Sequence, residues 1–139
     1  MKKGRQFNFE QKIIEFKKFE KTVPRLIGNI AKIQFVENFD HEGFTDEAVG
    51  SDPWKKRKRN DKNSSRRNIL VKTGALRRSI RVGSSPTFRR IVIGSYGLNY
   101  AKIHNEGSGK MPQRKFLGQS RLLDKKISAL IRAKMIKIL

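Results

Sequence analysis

Ile80-Arg81-Val82-Gly83-Ser84-Ser85-Pro86-Thr87-Phe88-Arg89-Arg90-Ile91-Val92-Ile93 is the stretch that decides the fold class. Ile80 and Val82 alternate with Arg81 and Gly83, and Ile91 and Ile93 alternate with Arg90 and Val92. A period of two places one apolar face on an extended chain. Gly83-Ser84-Ser85-Pro86-Thr87 between the runs is turn chemistry, so the stretch predicts a β-hairpin. The apolar residues on either side of it recur at three and four instead.

Upstream, Phe9, Ile13 and Phe16, with Ile14 and Phe19 beside them, predict a first helix over residues 7–19. Thr22 as N-cap and Pro24 in a first turn then open a second helix, whose stripe is Val23, Leu26, Ile27, Ile30, Ile33 and Val36. Gly28 weakens that helix without ending it. Downstream of the hairpin, Tyr100-Ala101-Lys102-Ile103-His104 reads as a short helical turn closed by Gly107, and Met111-Pro112-Gln113-Arg114 as an extended connector. A last helix carries Leu123, Ile127, Leu130, Ile131 and Ile138 on one side. The expectation is a single α+β domain over residues 1–139, its N-terminal helices (1–39) and C-terminal helix packed on a small antiparallel sheet within residues 69–139. Residues 40–68 are rich in turn formers and like charges and are expected to form a long, flexible basic loop.

A chain of 139 residues can bury a core of its own, and the absence of cysteine excludes a disulfide framework and a thiolate zinc site. Its N-terminus starts basic but develops no apolar signal core, and no apolar run is long enough to span a bilayer, so a soluble chain without membrane contact is expected. The formal charge of +21 is unevenly spread: Asp52, Asp61, Glu106 and Asp124 are the only acids after residue 50, against roughly two dozen bases. Such a surface attracts polyanions and acidic protein faces.

Catalytic material is thin. His41 and His104 are the only histidines, and there is no His-Glu-x-x-His helix. Asp40-His41-Glu42 and His104-Asn105-Glu106 each offer two metal ligands but no third, and neighbours in a turn seldom aim at one ion. Gly94-Ser95-Tyr96-Gly97 supplies neither a dinucleotide fingerprint nor a P-loop. No enzyme activity, cofactor or metal is expected. Trp54 before Lys55, Lys56, Arg57, Lys58 and Arg59 reads either as a nucleic-acid contact with base stacking or as a solvated loop that the indole anchors to the domain. Thr73 caps a short turn, Gly74 permits close packing, and Leu76 enters the core.

Three segments stand in a fixed order: Ile69-Leu70-Val71-Lys72-Thr73-Gly74-Ala75-Leu76-Arg77-Arg78-Ser79-Ile80, then Tyr100-Ala101-Lys102-Ile103-His104-Asn105-Glu106-Gly107, then Arg114-Lys115-Phe116-Leu117-Gly118. The series resembles the Mu-like virion morphogenesis, or tail-completion, proteins of tailed bacteriophages. Over roughly residues 26–139 the chain carries the family's Thr-Gly-x-Leu-x-x-Ser, Tyr-Ala-x-x-His-x-x-Gly and Arg-x-Phe-Leu-Gly segments. The resemblance implies a structural protein, made in the bacterial host cytoplasm, that joins head to tail at the tail end or neck of the virion. It also implies a ring of copies that contacts tail-tube or neck proteins. Tyr100 and His104, with the segment Trp54–Arg59, are then candidate interface residues. Thr73, Gly74, Leu76, Gly107, Arg114, Phe116, Leu117 and Gly118 form the structural motifs. The alternative is a basic nucleic-acid-binding module, which explains the charge but not the motif order; a role in assembly also leaves room for non-specific contact with DNA.

Overall fold

The computed structural model describes residues 6–58 and 67–139. In chain order the elements are α1 (Phe9–His41), β1 (Gly43–Phe44), β2 (Asp52–Pro53), α2 (Ala75–Ser79), β3 (Ile80–Val82), β4 (Ile93–Ser95), α3 (Ala101–Glu106) and α4 (Arg121–Ile138). The fold is α+β: helices enclose two separate two-stranded antiparallel sheets, β1 with β2 and β3 with β4.

The expected pair of N-terminal helices is one helix. Asn8 caps it by accepting from the Gln11 N–H, and Pro24 lies inside it. Thr22, expected as a cap, instead donates its hydroxyl to the Lys18 carbonyl 2.8 Å away. A proline in a helix interior costs about 3 kcal/mol. The helix runs on because Pro24 sits with Val23, Ile27, Ala31, Phe35 and Phe39 on the face that the rest of the chain buries. Gly28 belongs to this face, and a Cβ there would stand 2.7 Å from Val82 Cγ1, so the glycine sets how closely α1 lies on the hairpin.

The predicted hairpin is present, with its second strand displaced by two residues. Ile80 pairs with Ser95, Arg81 with Gly94 and Val82 with Ile93. The Gly83 N–H donates to the Val92 carbonyl, and Thr87 and Arg90 close the loop tip. The start of the expected long loop is also built into the domain: β1 and β2 form a small hairpin that buries Phe44 and Thr45, and Trp54 follows into the core. Residues 59–66, with Arg59, lie outside the described residues.

The core gathers Phe39, Phe44, Trp54, Leu76, Ile80 and Phe116 with their neighbours. Phe39 stands at its centre, its ring 5.4 Å from Trp54 and 5.3 Å from Phe116. Buried amides sew the elements together. Asn38 donates to the Phe116 carbonyl and accepts from the Thr45 N–H, while Gln34 donates to the Ser120 hydroxyl and accepts from Lys126. Ser120 in turn caps α4 by accepting from the Leu123 N–H.

Candidate functional site

Three segments far apart in sequence, with Arg57 beside them, line one cleft of about 530 Å³. The first wall starts at Ile69, whose N–H donates to the Glu42 carboxylate 2.6 Å away, and turns through Leu70 and Thr73 into α2. The Thr73 hydroxyl accepts from the Ala75 N–H, Gly74 takes a left-handed backbone (φ 74°), and Leu76 drops into the core. The second wall is Tyr100, at the N-cap of α3, and His104 within that helix, one turn apart, their rings edge to face at 5.8 Å. The third is Arg114, whose N–H donates to the His104 carbonyl.

Gly107 is what allows the third wall to approach the second. It ends α3 with φ 76°, and its N–H donates to the Ile103 carbonyl. A Cβ there would meet the Gln113 nitrogen at 2.9 Å, so only glycine serves both the turn and the contact. Asn105 completes the joint by accepting from the N–H groups of Phe116 and Leu117, both at 2.9 Å. Sequence reasoning passed over Asn105; its signal was its place inside the Tyr-Ala-x-x-His-x-x-Gly segment. Phe116 is buried, Leu117 half-buried against the core, and Gly118 exposed on the way to Ser120.

Arg114 is buried, and its Nε and Nη2 both donate to the Lys55 carbonyl, at 3.0 and 2.9 Å. No carboxylate lies within salt-bridge distance of it among the described residues. Burial, and then the charge of Arg57, lowers the guanidinium pKa from its ordinary value. Arg57 donates to the carbonyls of Arg67 and Asn68. Arg57 and Arg114 also line a second cleft of about 590 Å³, with Lys55, Lys56, Lys58 and Lys110 around it. Among the described residues neither cleft has an acidic side chain in its lining.

Trp54 is placed elsewhere. It is 6% exposed, and its indole N–H donates to the Lys115 carbonyl at 2.7 Å, so it holds the basic segment to the domain. Lys55, Lys56 and Lys58 project from that anchored backbone into solvent. Replacing these three lysines with glutamine is expected to leave the thermal midpoint nearly unchanged, because solvated like charges repel one another and contribute little to folding. Differential scanning calorimetry checks this; a fall of many degrees would mean that they hold the fold.

Two of the residues offered from sequence as metal ligands are engaged otherwise: Asp40 forms a two-pronged ion pair with Arg77 at 2.8 and 2.9 Å, and Glu42 accepts from the Ile69 N–H. Among the described residues no three His, Asp or Glu side chains gather where they could hold a metal ion. His104 Nδ1 is buried without a hydrogen-bond partner. Burial, and then the charge of Arg114, pushes the imidazole pKa below its ordinary value. The cleft is therefore a surface for hydrogen bonding and for negative charge, floored by Leu76 and edged by an imidazole that stays neutral at physiological pH.

A sequence model of the phage virion morphogenesis family matches residues 43–135, the span that contains all three walls of the cleft. The chain belongs to the phage virion morphogenesis family. No curated protein and no solved structure gives a significant match. In this morphogenesis protein α1 precedes the matched span entirely, although its C-terminal half supplies the core face on which that span packs. No helix among the described residues is long and apolar enough to cross a membrane.

The lowered pKa of His104 has a consequence for folding. The unfolded chain takes up the proton near the ordinary value of about 6.5, whereas the folded chain resists it until a lower pH. Stability contributed by the neutral imidazole is therefore present above about 6.5 and is lost as the pH falls from there to the folded-state pKa. His104→Gln is expected to remove that part of the pH dependence, which urea titrations of both proteins from neutral pH downward will read. Parallel stability profiles across this window would contradict it.

Proposed function

We propose that this family member is a non-enzymatic structural protein that completes the tail or joins head to tail, working as a ring of copies at the tail end or neck of the virion. The observation that carries the reading is the convergence of the three family segments on one cleft. Their buried residues hold the domain together, while Tyr100, His104 and Arg114 are left at an opening that no carboxylate lines among the described residues. Side chains arranged in that way recognise a surface rather than transform a substrate. A ring needs two different patches on each subunit that meet around a closing rotation. The cleft serves as one patch, and an acidic face of a neighbouring copy or of a tail-tube or neck protein as its complement.

A narrower second reading rests on the lysine-lined cleft. Lys55, Lys56, Lys58 and Lys110 around one opening suit non-specific contact with DNA phosphates. It predicts duplex binding that weakens steeply with salt and shows no base preference.

The test of the main reading is location and copy number on purified particles. Electron microscopy with labelled antibody, together with quantitative mass spectrometry, is expected to place several copies at one end of the tail. A single copy per particle would remove the ring, and absence from the particle would remove the virion role.

A further inference from the structure

The first buried residue of α1 is Val23, so Phe9–Thr22 extends about 20 Å, at 1.5 Å per residue, before the helix reaches its packed face. This arm is apolar along one side. Phe9, Ile13 and Phe16 are 73%, 54% and 39% exposed, with Phe7 and Ile14 exposed beside them. Their spacing of four and three continues through Glu20 into Val23, Ile27 and Ile30, the residues that face the domain. The seam that packs α1 on its own core thus runs on beyond that core. Phe19 turns to the other edge and stacks on Phe88 of the hairpin loop at 5.3 Å. Apolar side chains grouped in this way mark an interface.

We propose that this arm pairs two copies of the chain, antiparallel, with Ile13 near the two-fold axis. Charge argues for a second copy. The chain carries +21, concentrated after residue 50, so its basic faces repel one another. The arm mixes both signs, with Glu10, Glu15 and Glu20 among Lys12, Lys17, Lys18 and Lys21.

Charge also sets the direction. Glu10 and Lys17 are seven residues apart on one edge of the seam, and among the described residues neither has a partner within the chain. Antiparallel pairing brings Glu10 of one arm beside Lys17 of the other twice, at two places related by the two-fold axis. Parallel pairing would instead set Lys12 of one arm against Lys17 of the other. A lipid surface fits less well, because the glutamates interrupt the basic polar face that anionic headgroups require. The pairing lies outside the family-matched span and does not depend on the tail-completion reading.

Sedimentation equilibrium of the full chain at physiological salt, from micromolar to several hundred micromolar, tests the pairing. A monomer–dimer equilibrium is expected, weakened about tenfold or more by Ile13→Glu, which buries a carboxylate in the seam. The thermal midpoint of that variant should match the parent because the site is exposed. Glu10→Lys should also weaken the dimer, and Glu10→Lys combined with Lys17→Glu should restore it. A chain that stays monomeric throughout overturns the proposal, as does association indifferent to Ile13→Glu. A monomer that instead collects on phosphatidylglycerol vesicles through this arm overturns it in favour of a lipid surface. Failure of the double charge reversal to restore the dimer overturns the antiparallel arrangement.

Discussion

Phe116→Ala is expected to lower the unfolding free energy by about 3–5 kcal/mol, the range for removing a buried aromatic ring. Phe116 is 1% exposed and packs on Phe39, which in turn meets Trp54 edge to face. Removing the ring opens a cavity between α1 and the strap that follows Arg114. That strap cannot collapse into it freely. Its backbone N–H groups are held by Asn105, and the Phe116 carbonyl by Asn38. Urea denaturation measures the loss. A change below about half a kcal/mol, the scale of an ordinary surface substitution, would move Phe116 from core to interface.

Asn38→Leu is expected to cost about 2–5 kcal/mol although it adds apolar bulk, because it leaves two buried backbone groups unpaired. The Asn38 amide donates to the Phe116 carbonyl at 3.1 Å and accepts from the Thr45 N–H at 3.0 Å, and no part of the residue is exposed. Leucine has nearly the same length and offers neither bond. Hydrogen exchange gives the more specific reading: the Thr45 amide should lose protection by more than the global destabilisation accounts for. Stability equal to the parent would show that Asn38 fills space and does not carry the joint.

These two residues illustrate what the sequence could and could not convey. Phe116 was legible, since an aromatic inside an Arg-x-Phe-Leu-Gly segment ahead of a helix reads as an anchor. Asn38 was not, because its role is set by a carbonyl 78 residues away. Gln34 and Asn105 are the same case: polar residues on otherwise regular elements whose partners exist only after folding. The hairpin was legible from its period of two, but alternation does not count the loop, and pairing of Val82 with Ile93 moved the second strand. Thr22 and Pro24 spelled a helix start in local terms. Burial of Pro24 beneath the domain outweighed that local preference and kept α1 continuous.

The cleft shows the same division. Each of its three segments could be picked out along the chain, and their order carried the resemblance to the family whose model matches residues 43–135. Their meeting around one opening depended on Gly107 and Asn105 drawing the strap against α3, a contact no one-dimensional spacing encodes. Lys72 and Lys110 were missed because a lone lysine in a basic chain carries no signal until a cavity gives it a direction.

The assembly role is tested most directly by imaging particles made from a phage genome that lacks this chain. DNA-filled heads and assembled tails are expected side by side but unjoined, with joining restored when purified protein is added. Joined, infectious particles would contradict it, and so would a defect confined to DNA packaging.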